Sequence, residues 1–270
     1  MTELGHIGFI GGGNMGEALI KGLIESAVPA QSIRVAEPNE ARARLLTERY
    51  GVVCSSDGGE VVRQSDLIVL AIKPQIVSVA LPGIAGAFDD TKLLVSIAAG
   101  VTTATLEGYF DGAPRVVRVM PNTPALAGAG AAALCPGRHA TRDDVSTALH
   151  LLEGVGTAHV LTEAQLDAVT GLSGSGPAYV YMVIEAMAAG GVLEGLPMDT
   201  ALALATQTVF GTAQLVKDSG EHPAVLRDKV CSPGGTTIAA VKELEEKGLR
   251  SALIKAVSKA ARRSRELGKG

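Results

Sequence analysis

His6-Ile7-Gly8-Phe9-Ile10-Gly11-Gly12-Gly13-Asn14-Met15-Gly16 is the stretch whose reading decides the fold. It opens as a short apolar run of strand type and passes through a glycine-rich turn. Ala18, Leu19, Leu23 and Ile24 then follow at helical spacing. Strand, tight turn and helix in that order, with Gly11, Gly13 and Gly16 spaced as G-x-G-x-x-G, match a dinucleotide-binding fingerprint. The first glycine makes the turn, the second admits the pyrophosphate, and the third lets helix pack on strand. Asn14 and Met15, enclosed by the last two glycines, go to the cofactor with them.

Working outward, short β-type runs alternate with helical segments up to about residue 160. The candidate strands are Ile33-Val35, Leu67-Ile72, Leu93-Ile97, Val116-Met120 and Ala131-Leu134, with Ala158-Leu161 as a further one. Pro38-Asn39 caps a helix through Ala41, Leu45 and Leu46, and Ile76, Val79 and Ala80 mark another. Such alternation predicts a parallel sheet covered by helices, with ligands at the carboxyl ends of its strands. Those ends carry Ile72-Lys73-Pro74, Ala98-Ala99-Gly100 and Met120-Pro121-Asn122-Thr123-Pro124. Lys73, Pro74, Ala98 and Ala99 are therefore assigned to the cofactor side.

From Thr162 onward the periodicity is helical only. Thr162 with Gln165 is a capping-box signature. A helix over Gln165-Thr170 is expected to break at Gly171-Leu172-Ser173-Gly174-Ser175-Gly176 and resume at Pro177. Asp199 is expected to cap Ala201-Val216, Pro223 to open a short segment, and Ala252-Arg265 to form the last helix. The expected organisation is an α/β class chain: a Rossmann-type doubly wound sheet over 1–161, then an all-α substrate-binding and dimerisation domain over 162–270.

A second turn, Cys231-Ser232-Pro233-Gly234-Gly235-Thr236-Thr237, leads into Ile238, Val241 and Leu244. Proline fixes one backbone angle, the glycines let a ligand approach the backbone, and the threonines can cap the helix. The N–H groups of Gly235, Thr236 and Thr237 would then face a carboxylate or phosphate.

The formal charge of −4 over 270 residues, with no basic run before the last ten, disfavours nucleic acid as a partner. Cys54, Cys135 and Cys231 are scattered and odd in number, which indicates neither a disulfide framework nor a metal site and fits a cytoplasmic setting. Cys231 lacks an activating histidine and reads as a small buried apolar residue. The Met1-Thr2-Glu3-Leu4 start leads straight into a strand, so no signal peptide is expected. Ala178 to Leu193, interrupted by Glu185, falls short of a membrane span.

Taken together, Ile7-Gly8-Phe9-Ile10-Gly11-Gly12-Gly13-Asn14-Met15-Gly16, Ala71-Ile72-Lys73-Pro74, Val119-Met120-Pro121-Asn122-Thr123-Pro124, the run Asp167 to Tyr179 and Ser232-Pro233-Gly234-Gly235-Thr236-Thr237 resemble pyrroline-5-carboxylate reductases over nearly the whole chain. The resemblance implies reduction of the cyclic imino acid 1-pyrroline-5-carboxylate to L-proline, the last step of proline synthesis, by hydride from NADP(H) or NAD(H). It also implies a homodimer interlocked through the helical domain, which assembles further into a decamer. The amides at Gly235 to Thr237 suit the substrate carboxylate. An iminium can arrive already protonated, so the site needs positioning and desolvation more than a strong acid. By the resemblance Ala71, in the motif Ala71-Ile72-Lys73-Pro74, joins Lys73 and Pro74 on the cofactor side. Thr237 in turn bonds the ring nitrogen as the catalytic residue, and Ser232, Gly235, Thr236 and Glu163 join it around the substrate. Thr237 as a helix cap, Glu163 as a first-turn acid, and Ser173 and Ser175 as turn formers are the structural alternatives.

Glu37 departs from the family's usual small hydroxyl or amide residue. At the end of the second strand an acid would bond the adenine ribose and repel a 2′-phosphate, so Glu37→Ser is expected to shift preference towards NADPH. Arg42 and Arg44 stand as candidates for phosphate contact or as solvated charges. β-Hydroxyacid dehydrogenases share the two-domain plan but place a lysine shortly after the glycine-rich segment. Here Pro177-Ala178-Tyr179-Val180-Tyr181 follows, and the next lysine is Lys217. A nucleotide-sensing protein without chemistry would have lost the carboxylate turn, which is intact.

Overall fold

The computed structural model describes residues 4–268. Met1-Thr2-Glu3, on which the expectation of a leader-free start rests, lie outside them. Two compact units divide the chain by contact: Met1–Ser175 with Lys259–Gly270, and Gly176–Ser258.

The first unit is an eight-stranded sheet in the order β3-β2-β1-β4-β5-β6-β7-β8. The strands are β1 (Ile7–Ile10), β2 (Ile33–Ala36), β3 (Val53–Ser55), β4 (Leu67–Leu70), β5 (Leu93–Ser96), β6 (Arg115–Met120), β7 (Gly130–Pro136) and β8 (Gly156–Val160). The helices between them are α1 (Asn14–Glu25), α2 (Glu40–Tyr50), α3 (Gly58–Arg63), α4 (Val77–Ala85), α5 (Thr103–Glu107) and α6 (Arg142–Glu153). Alternation along the strands sorts the core into two faces. Phe9, Val35, Val69 and Val95 pack with Leu19, Ile20 and Leu23 of α1 and with Leu151 and Leu152 of α6. Ile10, Ile68, Leu70 and Leu94 pack with Val61 and Val62 of α3 and with Leu81 and Ile84 of α4.

The sheet is mixed, which corrects the parallel expectation. β7 runs antiparallel to β6. Only residues 121–129 link the two, too short a stretch for the helical crossover that a parallel pair requires. β8 returns parallel to β7 through α6. β3, α3, α5 and α6 are elements that the apolar periodicity does not reveal. α3 and α5 are very short, and β3 is an edge strand with partly exposed residues.

A second correction concerns Gly171-Gly176. The chain does not leave the helix there. After α7 (Leu166–Val169) the segment Thr170–Gly174 makes a π-helical turn, with Ser175 N–H bonded to Thr170 O at 2.8 Å, and α8 (Gly176–Leu193) follows. A π-bulge absorbs the glycine-rich insertion without breaking the helix. The resulting run Glu163–Leu193 is, by length and composition, sufficient to cross a membrane, whereas the shorter Ala178–Leu193 stretch expected from the sequence is not.

The second unit is helical: α8, α9 (Met198–Ser219), α10 (Pro223–Lys229), α11 (Thr236–Glu246) and the first turns of α12 (Leu249–Leu267). α9 starts at Met198, three residues before the expected start at Ala201, with Pro197 as N-cap, and the Asp199 carboxylate accepts from Thr200 N–H. The buried side chains of this unit reduce to Ala188, Ala201 and Ala205, against which Ile184 packs.

Candidate active site

The β1–α1 turn gives each glycine a separate task. Gly11 has φ +97°, and a Cβ on it would lie 2.6 Å from Ala71 O and 2.7 Å from Ile72 Cγ2. Gly16 sits with its would-be Cβ 2.9 Å from Gly11 O, so only hydrogen lets α1 approach β1. Around Gly13, the N-cap of α1, nothing lies within 4 Å of the would-be Cβ, and no side chain caps the helix. The first-turn N–H groups have no intrahelical partners. The space beside Gly13 at the head of this turn is open, which is what a diphosphate requires.

A cavity of about 590 Å³ runs along this turn, lined by Gly11, Gly13, Glu37, Ala71 and Lys73 among others. Pro38, Asp57, Gly58, Ile76 and Val79 also line it, and the sequence assigned none of them to the cofactor. The spacing of Ile76 and Val79 marks a helix, yet both side chains are exposed to the groove. The missed signal is that a helix following a strand's carboxyl end presents its first turn to the ligand.

Pro74 and Ala99 line a second cavity of about 890 Å³, with Gly100, Thr105, Thr170, Ser175 and Arg263. Ala98 is buried and borders neither space. Asn14 is exposed and Met15 packs against the core, and neither is among the residues lining the two cavities. Asn122, in the loop after β6, is buried. It accepts Ala131 N–H at 2.9 Å through Oδ1 and donates through Nδ2 to Ser173 O at 3.1 Å, which pins the glycine-rich segment. Ser173 bonds its own helix backbone at Val169 O, and Ser175 faces the cavity.

Both carboxylates singled out in the sequence are engaged. Glu37 accepts Gly12 N–H at 2.9 Å and Asn39 N–H at 3.0 Å. Arg42 is not a solvated charge: its Nε donates to Gly12 O at 2.6 Å and its Nη2 to Glu17 Oε2. Arg44 is exposed. Glu163 accepts Thr103 N–H at 2.7 Å, Thr103 Oγ1 at 2.8 Å and Arg118 Nη1 at 3.0 Å. Burial pushes the Glu163 carboxyl up, but these three bonds and the guanidinium charge outweigh it and leave the pKa below the ordinary value. The Cys135 thiol is pushed up to about 11 by burial and by the Glu163 charge. A neutral thiol is a poor nucleophile.

In the helical unit, Gly234 at φ +67° turns the chain into α11, whose N-cap is Gly235. No side chain caps this helix, so the threonines do not take the capping role open to them. Gly235 N–H donates to Ser232 O at 3.0 Å, and a Cβ on Gly235 would strike Ser232 Oγ. One of the three expected anion donors is therefore spent in closing the turn. The amides of Thr236 and Thr237 remain as first-turn donors without intrahelical partners. Cys231 is half-buried rather than buried.

A family model described as pyrroline-5-carboxylate reductase dimerisation matches residues 163–267, and one described as NADP oxidoreductase coenzyme F420-dependent matches residues 6–100. The chain is 46% identical to the pyrroline-5-carboxylate reductase of Methanosarcina acetivorans across 97% of its own length and 98% of that protein's. It is 47% identical to the pyrroline-5-carboxylate reductase of Synechocystis across 98% of both. Among solved structures, a pyrroline-5-carboxylate reductase from Coxiella burnetii superposes with a TM-score of 0.93 at 35% identity, covering 98% of each chain. That of Plasmodium falciparum, solved with NADP bound, gives 0.88 at 31% identity, covering 99% of this chain and 100% of the other.

Proposed function

Because the chain belongs to the pyrroline-5-carboxylate reductase family and so reduces 1-pyrroline-5-carboxylate to L-proline with NAD(P)H, we propose that the β1–α1 turn holds the cofactor and the Ser232–Thr237 turn holds the substrate. The observation that carries the first assignment is the open space at Gly13 beside the crowded Gly11 and Gly16. NAD(P)H, when bound, supplies the hydride. Gly13 and the first-turn amides of α1 receive its diphosphate, Glu37 its adenine ribose, and Ala71, Lys73, Pro74 and Ala99 the rest of its length.

The Thr236 and Thr237 amides hold the substrate carboxylate, with Ser232 and Gly235 fixing the turn that presents them. A hydroxyl both donates and accepts, so Thr237 Oγ1 bonds the ring nitrogen as imine or as iminium. A substrate that arrives as iminium needs no acid from the protein, which fits a turn without histidine. After three bonds to Thr103 and Arg118, Glu163 keeps one acceptor direction on Oε2 for a substrate contact.

Functionally the division lies near residue 162, with cofactor binding in 1–161 and substrate binding and dimerisation in 162–270. The start of the dimerisation model at residue 163 supports it. The apolar face of α8 and α9 suits a homodimer, and dimers of this kind assemble further into a decamer. Three free cysteines suit a reducing, cytoplasmic setting.

Imine-dependent oxidation of NAD(P)H, followed for wild type and Thr237→Ala, tests the reading. The variant is expected to lose about one to two orders of magnitude in kcat/KM, the scale of one hydrogen bond in a desolvated site, with unchanged cofactor affinity. Wild-type kcat/KM in a less stable protein would make Thr237 a purely structural residue.

A further inference from the structure

We propose that Glu17 acts together with Glu37 to reserve the groove for NADH, by withholding Arg42 from a 2′-phosphate. The inference rests on the NAD(P)H reading above and asks which of the two cofactors the chain's own charges admit.

Glu37 ends β2 at the wall of the groove with both oxygens fixed, Oε2 by Gly12 N–H and Oε1 by Asn39 N–H. Held in this way, the carboxylate can take hydrogen bonds from a ribose with two free hydroxyls. A 2′-phosphate brings a charge of about −1.5 to −2 to the same place and is repelled. Sites that accept the phosphate place an arginine beside it.

The candidate for that place here is Arg42, which does not line the groove. Arg42 is the third residue of α2, and its Nε donates to the carbonyl of Gly12, the same residue whose N–H holds Glu37. Its other edge is taken by Glu17 of α1, at 2.5 Å from Nη2, with side-chain exposures of 24% for Arg42 and 13% for Glu17. Glu17 also accepts Arg49 Nη1 and the Tyr50 hydroxyl, each at 2.8 Å. One partly buried carboxylate therefore ties two arginines of α2 to α1. Planar guanidinium bonding of this sort fixes direction as well as charge. The dinucleotide fingerprint asks for no acid at position 17, directly after its last glycine. Among the remaining cations, Lys73 lines the groove after β4, on the other side of β1 from Glu37, Arg63 is held at 3.7 Å by the carboxylate of the groove-lining Asp57, and Arg44 is exposed.

Removing Glu37 alone should therefore relieve repulsion without supplying attraction. Releasing Arg42 as well should supply it. Fluorescence titration of NADH and of NADPH into the intact oligomer, without imine, reads the ratio of the two dissociation constants apart from turnover. The wild type is expected to bind NADH at least about tenfold more tightly. Glu37→Ser should narrow that ratio about tenfold, and Glu17→Gln added to it should shift it about tenfold further towards NADPH, an effect that weakens at high salt.

Two Arg42→Ala combinations give the controls. Added to Glu17→Gln/Glu37→Ser, the substitution should cancel the second step. Added to Glu37→Ser alone, it should leave the ratio where Glu37→Ser put it, because Arg42 is still withheld there. A changed ratio in this arm would overturn the proposal even if the Glu17 variant fails to fold. Equal losses for both cofactors in the Glu17 variant, with a lower melting temperature, would make Glu17 a fastener of α1 to α2 and nothing more. A wild type that binds NADPH as tightly as NADH would overturn the proposal outright. Expected binding ratios in a protein that fails to reduce the imine would instead count against the reaction assigned above.

Discussion

The sheet unit buries what it makes, and the helical unit does not. In the first, Phe9, Leu19, Ile68, Leu94 and Leu134 are all inaccessible to solvent, or nearly so. In the second, three alanines make up the buried core, while Met182 is 68% exposed, Phe210 62% and Leu193 84%. Large apolar side chains left in water along two long helices cost free energy at about 25 cal/mol per Å². A contiguous apolar surface of this kind marks a site that another surface covers. The sheet unit is thus self-sufficient as a folding problem, whereas the helical unit is half of one. A second copy of the same helices, as in the proposed dimer, supplies the missing half with the same composition and the same need.

The severest challenge to this contrast is to make the exposed face unfit for burial. Met182→Glu with Phe210→Glu places charges on α8 and α9, and a buried unpaired carboxylate costs several kcal/mol at each site. Sedimentation should find mostly single-chain species, and imine reduction should fall by at least about a hundredfold. A folded monomer with wild-type activity would show that the helical unit is complete as it stands.

What could be read from the sequence differs between the units for the same reason. In the sheet unit the alternation of Ile7, Phe9, Leu67 and Val69 records burial by the chain's own helices, so strand positions and the glycine turn follow from local pattern. Direction does not: β7 looks like any other strand, and only the short 121–129 link makes it antiparallel. In α8 the apolar residues lie on nearly every face, as the proposed dimer requires, and periodicity then says little about which side packs where. The engagement of Arg42 and Glu163 is likewise illegible. Glu17 and Thr103, their partners, lie 25 and 60 residues away in sequence, and no local rule joins them.

Within the sheet unit the self-sufficiency stops at the glycine turn, where two glycines should fail in different ways. Gly11→Ala puts a methyl group into Ala71 O and Ile72 at positive φ. It should cost about 1–3 kcal/mol of stability along with cofactor affinity. Gly13→Ala meets nothing and has φ −65°, which alanine adopts freely. Its melting temperature should stay near wild type, while the dissociation constant for cofactor rises about tenfold or more as the methyl takes the space of the diphosphate. Calorimetry paired with cofactor titration separates the two outcomes. Equal melting losses in both variants would mean that Gly13 is also structural.

The smallest expected effect tests whether Glu163 serves its own unit or the substrate. Its three bonds all stay within the sheet unit, and they neutralise Arg118, whose side chain is only 5% exposed. Glu163→Gln keeps the shape and removes the charge. Breaking a fully buried pair costs about 3–5 kcal/mol, but the Glu163 side chain is about a third exposed (34%), so about 1–2 kcal/mol is the expected loss at neutral pH. The pH dependence has a definite sign. The folded carboxyl titrates below its unfolded value of about 4.3, so the wild type binds fewer protons folded than unfolded in that window. Its extra stability is complete above the unfolded pKa and drains away as pH falls through the folded one. Urea midpoints taken from pH 7 down to pH 3 should therefore fall more steeply for wild type than for Glu163→Gln, with the two curves converging at the acid end. A variant with wild-type midpoints throughout but a raised KM for the imine would move Glu163 from the fold to the substrate.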